Sequence, residues 1–375
     1  MPSTFATAFD PRRNNFDAIR LLAASVVVLS HAYSLTGAQW EPVSSLLHYG
    51  YGGTLAVQVF FVISGFLIAR SVHDNSTGEY LAARMLRILP GLAFITLVET
   101  FLIAPAFFNG ALSTYFRNLA WPHLGNILVF GEDPYIPGVF AKNPYPYVNG
   151  SLWTLPIESL FYLALPILVA LAAGRRWIYL VLFALSLAAE SVCVAFGMSD
   201  EHLGGFLFRT VSTFAAAKYA CWFMAGVVAW TWRDRIGFSA GACALALLIL
   251  FAARDSLAAP WMAKICGPYV VLYIGMAGGF GTALKRRIGD LSYGTYLFGY
   301  PVLNIMVTLG GRHLSAKAVF LLAMPVALLG ATLSWHFVER PFLRMKHSGL
   351  RWLVFRAREA PSETDSSILP TMGKE

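Results

Sequence analysis

The chain has 375 residues, of which 57% are hydrophobic and 13% charged, against about 45–50% and about 25% for an ordinary soluble domain. Its mean hydropathy of +0.60 excludes a soluble globular protein and a disordered one alike, and leaves a polytopic membrane domain as the class that fits. The net charge of +8 does not mark a nucleic-acid binder, because the basic residues sit in short clusters between apolar runs and form no continuous patch.

In chain order, ten apolar runs are candidate spans: 17–37, 51–69, 88–108, 151–172, 177–197, 211–232, 237–252, 262–284, 289–309 and 318–339. The first is too long for a typical signal peptide and lacks a small-x-small cleavage site, so it reads as a retained helix. An even number of spans puts both termini on one side. Arg12, Arg13, Arg84, Arg87, Arg175, Arg176, Lys285, Arg286 and Arg287 fall on that side, and outnumber Arg117, Lys142, Arg254, Lys264, Arg312 and Lys317 opposite. Positive charge is retained in the cytoplasm, so both ends are predicted inside. The expected fold is all-α, a polytopic integral membrane domain over 1–345, followed by a polar tail over 346–375 expected to be disordered. The cysteines lie singly, with no C-x-x-C pair and no matching histidines. Neither zinc, nor another metal, nor a disulfide framework is expected.

The outward segment 109–150 carries Pro122, Pro134, Pro137, Pro144 and Pro146 among Trp121, Tyr135, Tyr145 and Tyr147. One reading is a lid whose aromatic faces stack on a sugar-like acceptor. The other is an interfacial aromatic belt lying on the bilayer.

Ionisable groups are costly in hydrocarbon, so each one inside a span is a functional candidate. Arg20 and His31 lie in FDAIRLLAASVVVLSHAY; eleven helical steps of about 100° return His31 to within about 20° of Arg20. They share one face, with a rise of about 16 Å between them. Asp17, one turn before Arg20, is placed to pair with it. The structural alternatives are a snorkelling anchor for Arg20 and a helix–helix hydrogen bond for His31. Glu158 lies several residues into a span that enters from outside, at a depth expected to bring its carboxylate to His31. Such a contact would orient an imidazole acting as general base; the alternative is a partner such as Lys218. Arg84 and Arg87, spaced i, i+3, share a helix face at the cytoplasmic mouth, suited to phosphates or to topogenic charge alone. Glu99 and Glu190 are further buried candidates, with Lys218 available to neutralise one of them. Ser64 and Gly65 read as a close helix contact, and His336 and Glu339 as capping and anchoring at the inner mouth.

Set side by side, these segments resemble the acyltransferase-3 family of integral membrane acyltransferases. Arg20 and His31 match its first-helix motif; VQVFFVISGFLIAR its second helix; Arg84 and Arg87 its Arg-x-x-Arg; Trp153 and Glu158 its Trp-Ser/Thr-Leu-x-x-Glu; Ser292, Tyr293 and Tyr296 its Ser-Tyr-x-x-Tyr-Leu; and ERPF its final Glu-Arg-Pro. The chain departs from the pattern at Ser159 and Leu160, where many members have a second acid and a Gln. It departs again at Gly299, where many have a histidine.

The resemblance implies an enzyme of the bacterial inner membrane that moves an acyl group, most often acetyl, from cytoplasmic acyl-CoA to a hydroxyl of a surface or exported carbohydrate or glycolipid. Arg20, Arg84 and Arg87 would meet the donor phosphates, and His31 would act as general base or covalent acyl carrier. Glu158 would orient His31, and Trp153 and Tyr147 would face the acceptor. Such a site is reached from both sides of the membrane. The rival reading is a proton-coupled transporter or flippase built on Glu99, Glu158, Glu190 and Lys218.

Overall fold

The computed structural model describes residues 3–48, 50–131, 133–199, 205–208 and 210–345; the tail predicted over 346–375 lies outside the described residues. Every predicted apolar run is helical. In chain order the main helices are α1 (Phe16–Leu35), α2 (Gly52–Asp74), α3 (Thr77–Val98), α4 (Thr154–Ala172), α5 (Trp177–Ala195) and α6 (Thr213–Thr231). They continue with α7 (Ala240–Ala253), α8 (Ala259–Met276), α9 (Phe280–Ile288), α10 (Ser292–Gly310) and α11 (Ala316–Ser334). One short hairpin, Phe206–Phe208 with Val211–Ser212, is the sheet among the described residues.

Six helical segments are long and apolar enough by themselves to cross a bilayer, and a seventh if α8 and α9 count together. The remainder of the bundle is more polar or shorter. At 14 residues, α7 rises only about 21 Å against a hydrocarbon thickness of about 30 Å. The predicted span 262–284 is corrected: α8 stops at Met276 and α9 turns away from it by 64°. Gly278 makes the break by adopting φ +104°, a conformation that favours glycine. The basic helix α9 is thereby split from the apolar α8.

Helix starts follow their capping residues. Ser76 and Glu79 form a reciprocal box at the start of α3, which supplies acceptors for otherwise unpaired N–H groups. Two helices pass through a π-helical turn, at Glu99–Ile103 after α3 and at Trp335–Glu339 after α11, before a short α-helical continuation. Each turn carries a buried carboxylate, Glu99 or Glu339. The first helix α1 is central and packs against α2, α10 and α11. The closest crossing is that of α2 with α6: a Cβ on Gly65 would collide with the Phe223 carbonyl, and one on Gly226 with that of Val62. Close backbone approach of this kind needs small residues on both helices, as expected for Gly65.

Two back-to-back cavities as the candidate active site

Helix α1 presents Arg20 and His31 to the interior, but to two different cavities. The inner one, about 110 Å³, is lined by Arg20, Arg84, Arg87, Glu158, Thr154 and Tyr296, with apolar walls from α2. The outer one, about 260 Å³, is lined by His31, Ser34, Pro134, Tyr145, Tyr147, Gly150, Trp153 and Tyr300. They meet back to back, because Trp153 and Thr154 are neighbours on the chain while Tyr296 and Tyr300 lie one turn apart on α10. The wall is hydrogen-bonded. The Tyr296 hydroxyl donates to the Ser151 carbonyl at 2.6 Å and lies 2.7 Å from Thr154 Oγ1. Hydrogen-bonded Tyr296 is thus part of the wall between the cavity of Arg20 and that of His31.

The structure does not bring Glu158 to His31. Helix α4 begins only at Thr154, beyond the wall, and one further turn carries Glu158 about 6 Å deeper into the inner cavity. There its carboxylate accepts from Ser64 Oγ at 3.1 Å and from the Tyr162 hydroxyl. The Ser64 position, expected to serve packing alone, also binds this acid.

Around His31 the neighbours are aromatic. The Tyr51 hydroxyl lies 3.4 Å from Nδ1, and the Tyr300 ring meets the imidazole edge-on, centroids 5.0 Å apart. Behind them sits Glu41, a buried carboxylate that the sequence reading overlooked. It accepts from Ser30 Oγ at 2.8 Å, Ser44 N at 2.7 Å and Gly52 N at 3.2 Å, so it clamps the residues adjacent to both His31 and Tyr51. The only local signal was an acid directly before Pro42 at a helix start, an N-capping pattern. A side chain at Gly299 would collide with Val28 of α1, which gives a physical reason for glycine where many family members carry histidine.

The arginines of the inner mouth are largely engaged by carboxylates. Arg20 pairs with Asp17, as expected, and lies 3.6 Å from Asp290. Arg87 reaches Asp290 at 3.1 Å and Glu339 at 3.4 Å, while Lys285 reaches Asp17 at 3.3 Å and Asp290 at 3.5 Å. Three cations thus face three carboxylates. Glu339 is 1% exposed and bonded to Ser334, which makes it a partner of Arg87 rather than the simple anchor expected of it. Asp290, in the connection before α10, was also missed. Burial alone would raise its pKa, but Arg87, Arg20 and Lys285 outweigh that and hold it well below the usual carboxylate range. Arg84 has no carboxylate partner among the described residues; its guanidinium lies over the Tyr162 ring at 5.9 Å. The Nε atoms of Arg20 and Arg84 are buried without an acceptor. Buried donors of that kind are rare unless something else supplies the acceptor.

The segment 109–150 folds back over the outer cavity. Pro134, Tyr145 and Tyr147 face it, whereas Trp121, 59% exposed, points outward as a belt residue would. Glu99 holds this segment. Its carboxylate meets His123 Nε2 at 3.2 Å and accepts from Asn149 at 2.7 Å. Glu190 is paired with Lys264 at 2.7 Å, and Lys218 lies over the Phe214 and Tyr219 rings. The buried acids therefore belong to separate local networks.

A family profile described as an acyltransferase domain, Acyl_transf_3, matches residues 13–336. The chain is similar to the O-acetyl transferase of Shigella phage Sf6, 27% identical over 342 residues that cover 88% of this chain and 96% of that one. It is also similar to Nodulation protein 10 of Rhizobium leguminosarum bv. viciae, at 28% identity over 373 residues, 90% and 95% of the two chains. O-acetyltransferase OatA of Staphylococcus aureus (strain NCTC 8325 / PS 47) is 22% identical over 87% of this chain, but only 56% of its own length is covered. No solved structure matches. The profile takes in both cavities and the wall between them, and the chain belongs to the acyltransferase-3 family of multi-pass membrane acyltransferases.

Proposed function

We propose that this enzyme moves an acyl group, in the simplest case acetyl, from cytoplasmic acyl-CoA to a hydroxyl of a surface or exported carbohydrate or glycolipid, within the bacterial inner membrane. One observation carries the reading: His31 looks into an outer cavity walled by aromatic rings, and Arg84 with Arg20 looks into an inner cavity across a wall that contains Tyr296. Aromatic walls suit the apolar faces of a sugar ring, and unpartnered guanidinium donors suit an anionic donor.

In this scheme the pantetheine arm brings the thioester through the inner cavity to the wall. Breaking the two hydrogen bonds of Tyr296 costs about 1–3 kcal/mol. An open form at that cost is populated at about 0.5 to 15 per cent, enough for turnover. His31 Nε2 then takes the proton of the acceptor hydroxyl as its oxygen attacks the thioester carbonyl. The tetrahedral intermediate collapses with loss of the CoA thiolate, which the imidazolium reprotonates. In the covalent variant His31 attacks the thioester first and expels the CoA thiolate, and the acyl-imidazolium then passes its acyl group to the acceptor oxygen, whose proton goes to the thiolate. Glu158 acts on the donor side, binding Ser64 and Tyr162 at the inner wall.

The test uses purified protein in detergent, where no gradient exists, with acetyl-CoA, an acceptor glycan and a thiol-reactive reporter. Wild type releases thiol. His31→Ala, recovered from the membrane in normal amount, is slowed by about 10²–10⁴-fold or more. A fully active His31→Ala enzyme removes His31 from the mechanism, and flux of a substrate across vesicles without thiol release supports the transporter instead.

A further inference from the structure

If acyl-CoA is the donor, its nucleotide brings several negative charges to the cytoplasmic face, and the inner mouth has little charge left to meet them. Arg20, Arg87 and Lys285 are offset there by Asp17, Asp290 and Glu339. Besides Arg84, which lines the inner cavity without a carboxylate partner among the described residues, further unmatched cations lie outside it. Arg12, Arg13 and Arg286 line one groove of about 450 Å³ at the start of α9, together with Phe280 and Thr282. None of the three guanidinium groups has a carboxylate partner among the described residues.

The groove is built rather than accidental. Asn15 donates to the Ala277 carbonyl at 2.6 Å and to that of Ile274 at 3.1 Å. The Asn14 amide donates to Thr282 Oγ1 at 3.1 Å, and Thr282 N returns a bond to the Asn14 carbonyl at 3.0 Å. These bonds fix the two N-terminal arginines beside α9. Gly279 has no side chain to displace the stem of Arg13, which fills that place. The Phe280 ring, 69% exposed, offers a flat face beside the cations. Guanidinium groups and an aromatic face together suit a phosphorylated purine nucleotide.

The groove also lies beside the inner cavity. Arg286 follows Lys285, which pairs with Asp17 and through it with Arg20, and α1 rises only about 6 Å from Phe16 to Arg20. We propose that Arg12, Arg13 and Arg286 bind the phosphorylated nucleotide end of the acyl-CoA donor, so that its pantetheine arm enters the inner cavity past Arg20. The inference rests on the acyl-CoA reading above. Phosphate esters of anionic lipid headgroups share this chemistry, and the experiment separates the two sources.

The KM of the full-length protein is measured for acetyl-CoA and for acetyl-3′-dephospho-CoA, in nanodiscs of neutral lipid and in nanodiscs containing anionic lipid. Wild type prefers acetyl-CoA. Arg12→Gln/Arg13→Gln/Arg286→Gln raises the KM for acetyl-CoA by about tenfold or more and that for the dephospho donor by less than about twofold, in both lipids. Arg286→Gln alone, at an exposed position, gives the same split on a smaller scale if the triple variant is poorly recovered. Arg175→Gln, an exposed arginine outside the groove, moves neither value. Equal changes for both donors, or no change, overturn the proposal. So does an effect confined to anionic nanodiscs, which assigns the groove to lipid. Wild type that releases no thiol from either donor sinks the acyl-CoA reading itself, and the groove assignment with it.

Discussion

At the scale of single residues, His31 and its surroundings come from distant parts of the chain. His31 and Arg20 share a stripe because both belong to one helix, and helical angle alone places them. Tyr51 reaches His31, and Glu41 its neighbour Ser30, through the fold of the connection between α1 and α2, which no periodicity encodes. Glu158 shows the opposite error: its place depends on where α4 begins, and the helix starts only at Thr154, four residues before it. The Tyr51 hydroxyl is a neutral partner of His31 Nδ1, worth about 1 kcal/mol. Tyr51→Phe is therefore expected to lower kcat about fivefold, far less than His31→Ala, and to leave the KM for acyl-CoA unchanged. Initial rates of thiol release over a range of donor concentrations read this split; a loss as large as that of His31→Ala would make the tyrosine itself a proton carrier.

Among elements, the apolar runs were legible because a membrane solvent demands unbroken hydrophobic helices. The α8–α9 break was not, since its apolar run continues through Ala277 and only the two glycines mark the bend. The contact of α2 with α6 carries more of the site than its composition implies. It holds Phe61 stacked on Tyr219, centroids 5.0 Å apart, and Tyr219 in turn packs on Trp153 of the outer cavity at 5.7 Å. Gly65→Val forces the backbones apart and costs about 1–3 kcal/mol, as overpacking typically does. The unfolding midpoint in detergent is expected to fall, with Trp153 displaced. Gly78→Val, at a position where nothing lies within reach of a Cβ, serves as the comparison, although it carries the ordinary helix-propensity change from glycine. A midpoint equal to that of wild type for Gly65→Val would show that the crossing is looser than drawn.

For the molecule as a whole, the two faces are built on different chemistry. The inner face is ionic, with paired side chains on α1, α3 and α9, in the connection before α10 and in the turn after α11. The outer face is closed by the segment 109–150, whose prolines and aromatics were legible as something other than a flexible spacer but whose attachment was not. Beside the Glu99 carboxylate, that attachment uses neutral amides. Asn143 donates to Asn304 Oδ1 at 2.9 Å, Asn304 donates to the Tyr147 carbonyl at 2.9 Å, and Asn149 donates to the Leu297 carbonyl at 3.0 Å. Asn304 is fully buried on α10 and holds the backbone of a residue that lines the outer cavity. Asn304→Leu keeps the branched shape but removes the donor to the Tyr147 carbonyl and leaves Asn143 Nδ2 with the Asn304 backbone carbonyl alone, at about 1–3 kcal/mol in all. Because the inner cavity makes no use of these groups, the variant is expected to raise the KM for the acceptor several-fold while the KM for acyl-CoA stays put. Limited proteolysis within 109–150 is expected to quicken in parallel. If donor and acceptor KM rose together, the segment would be coupled to the Tyr296 wall, and opening of the outer face would be one motion with opening of the path between the cavities.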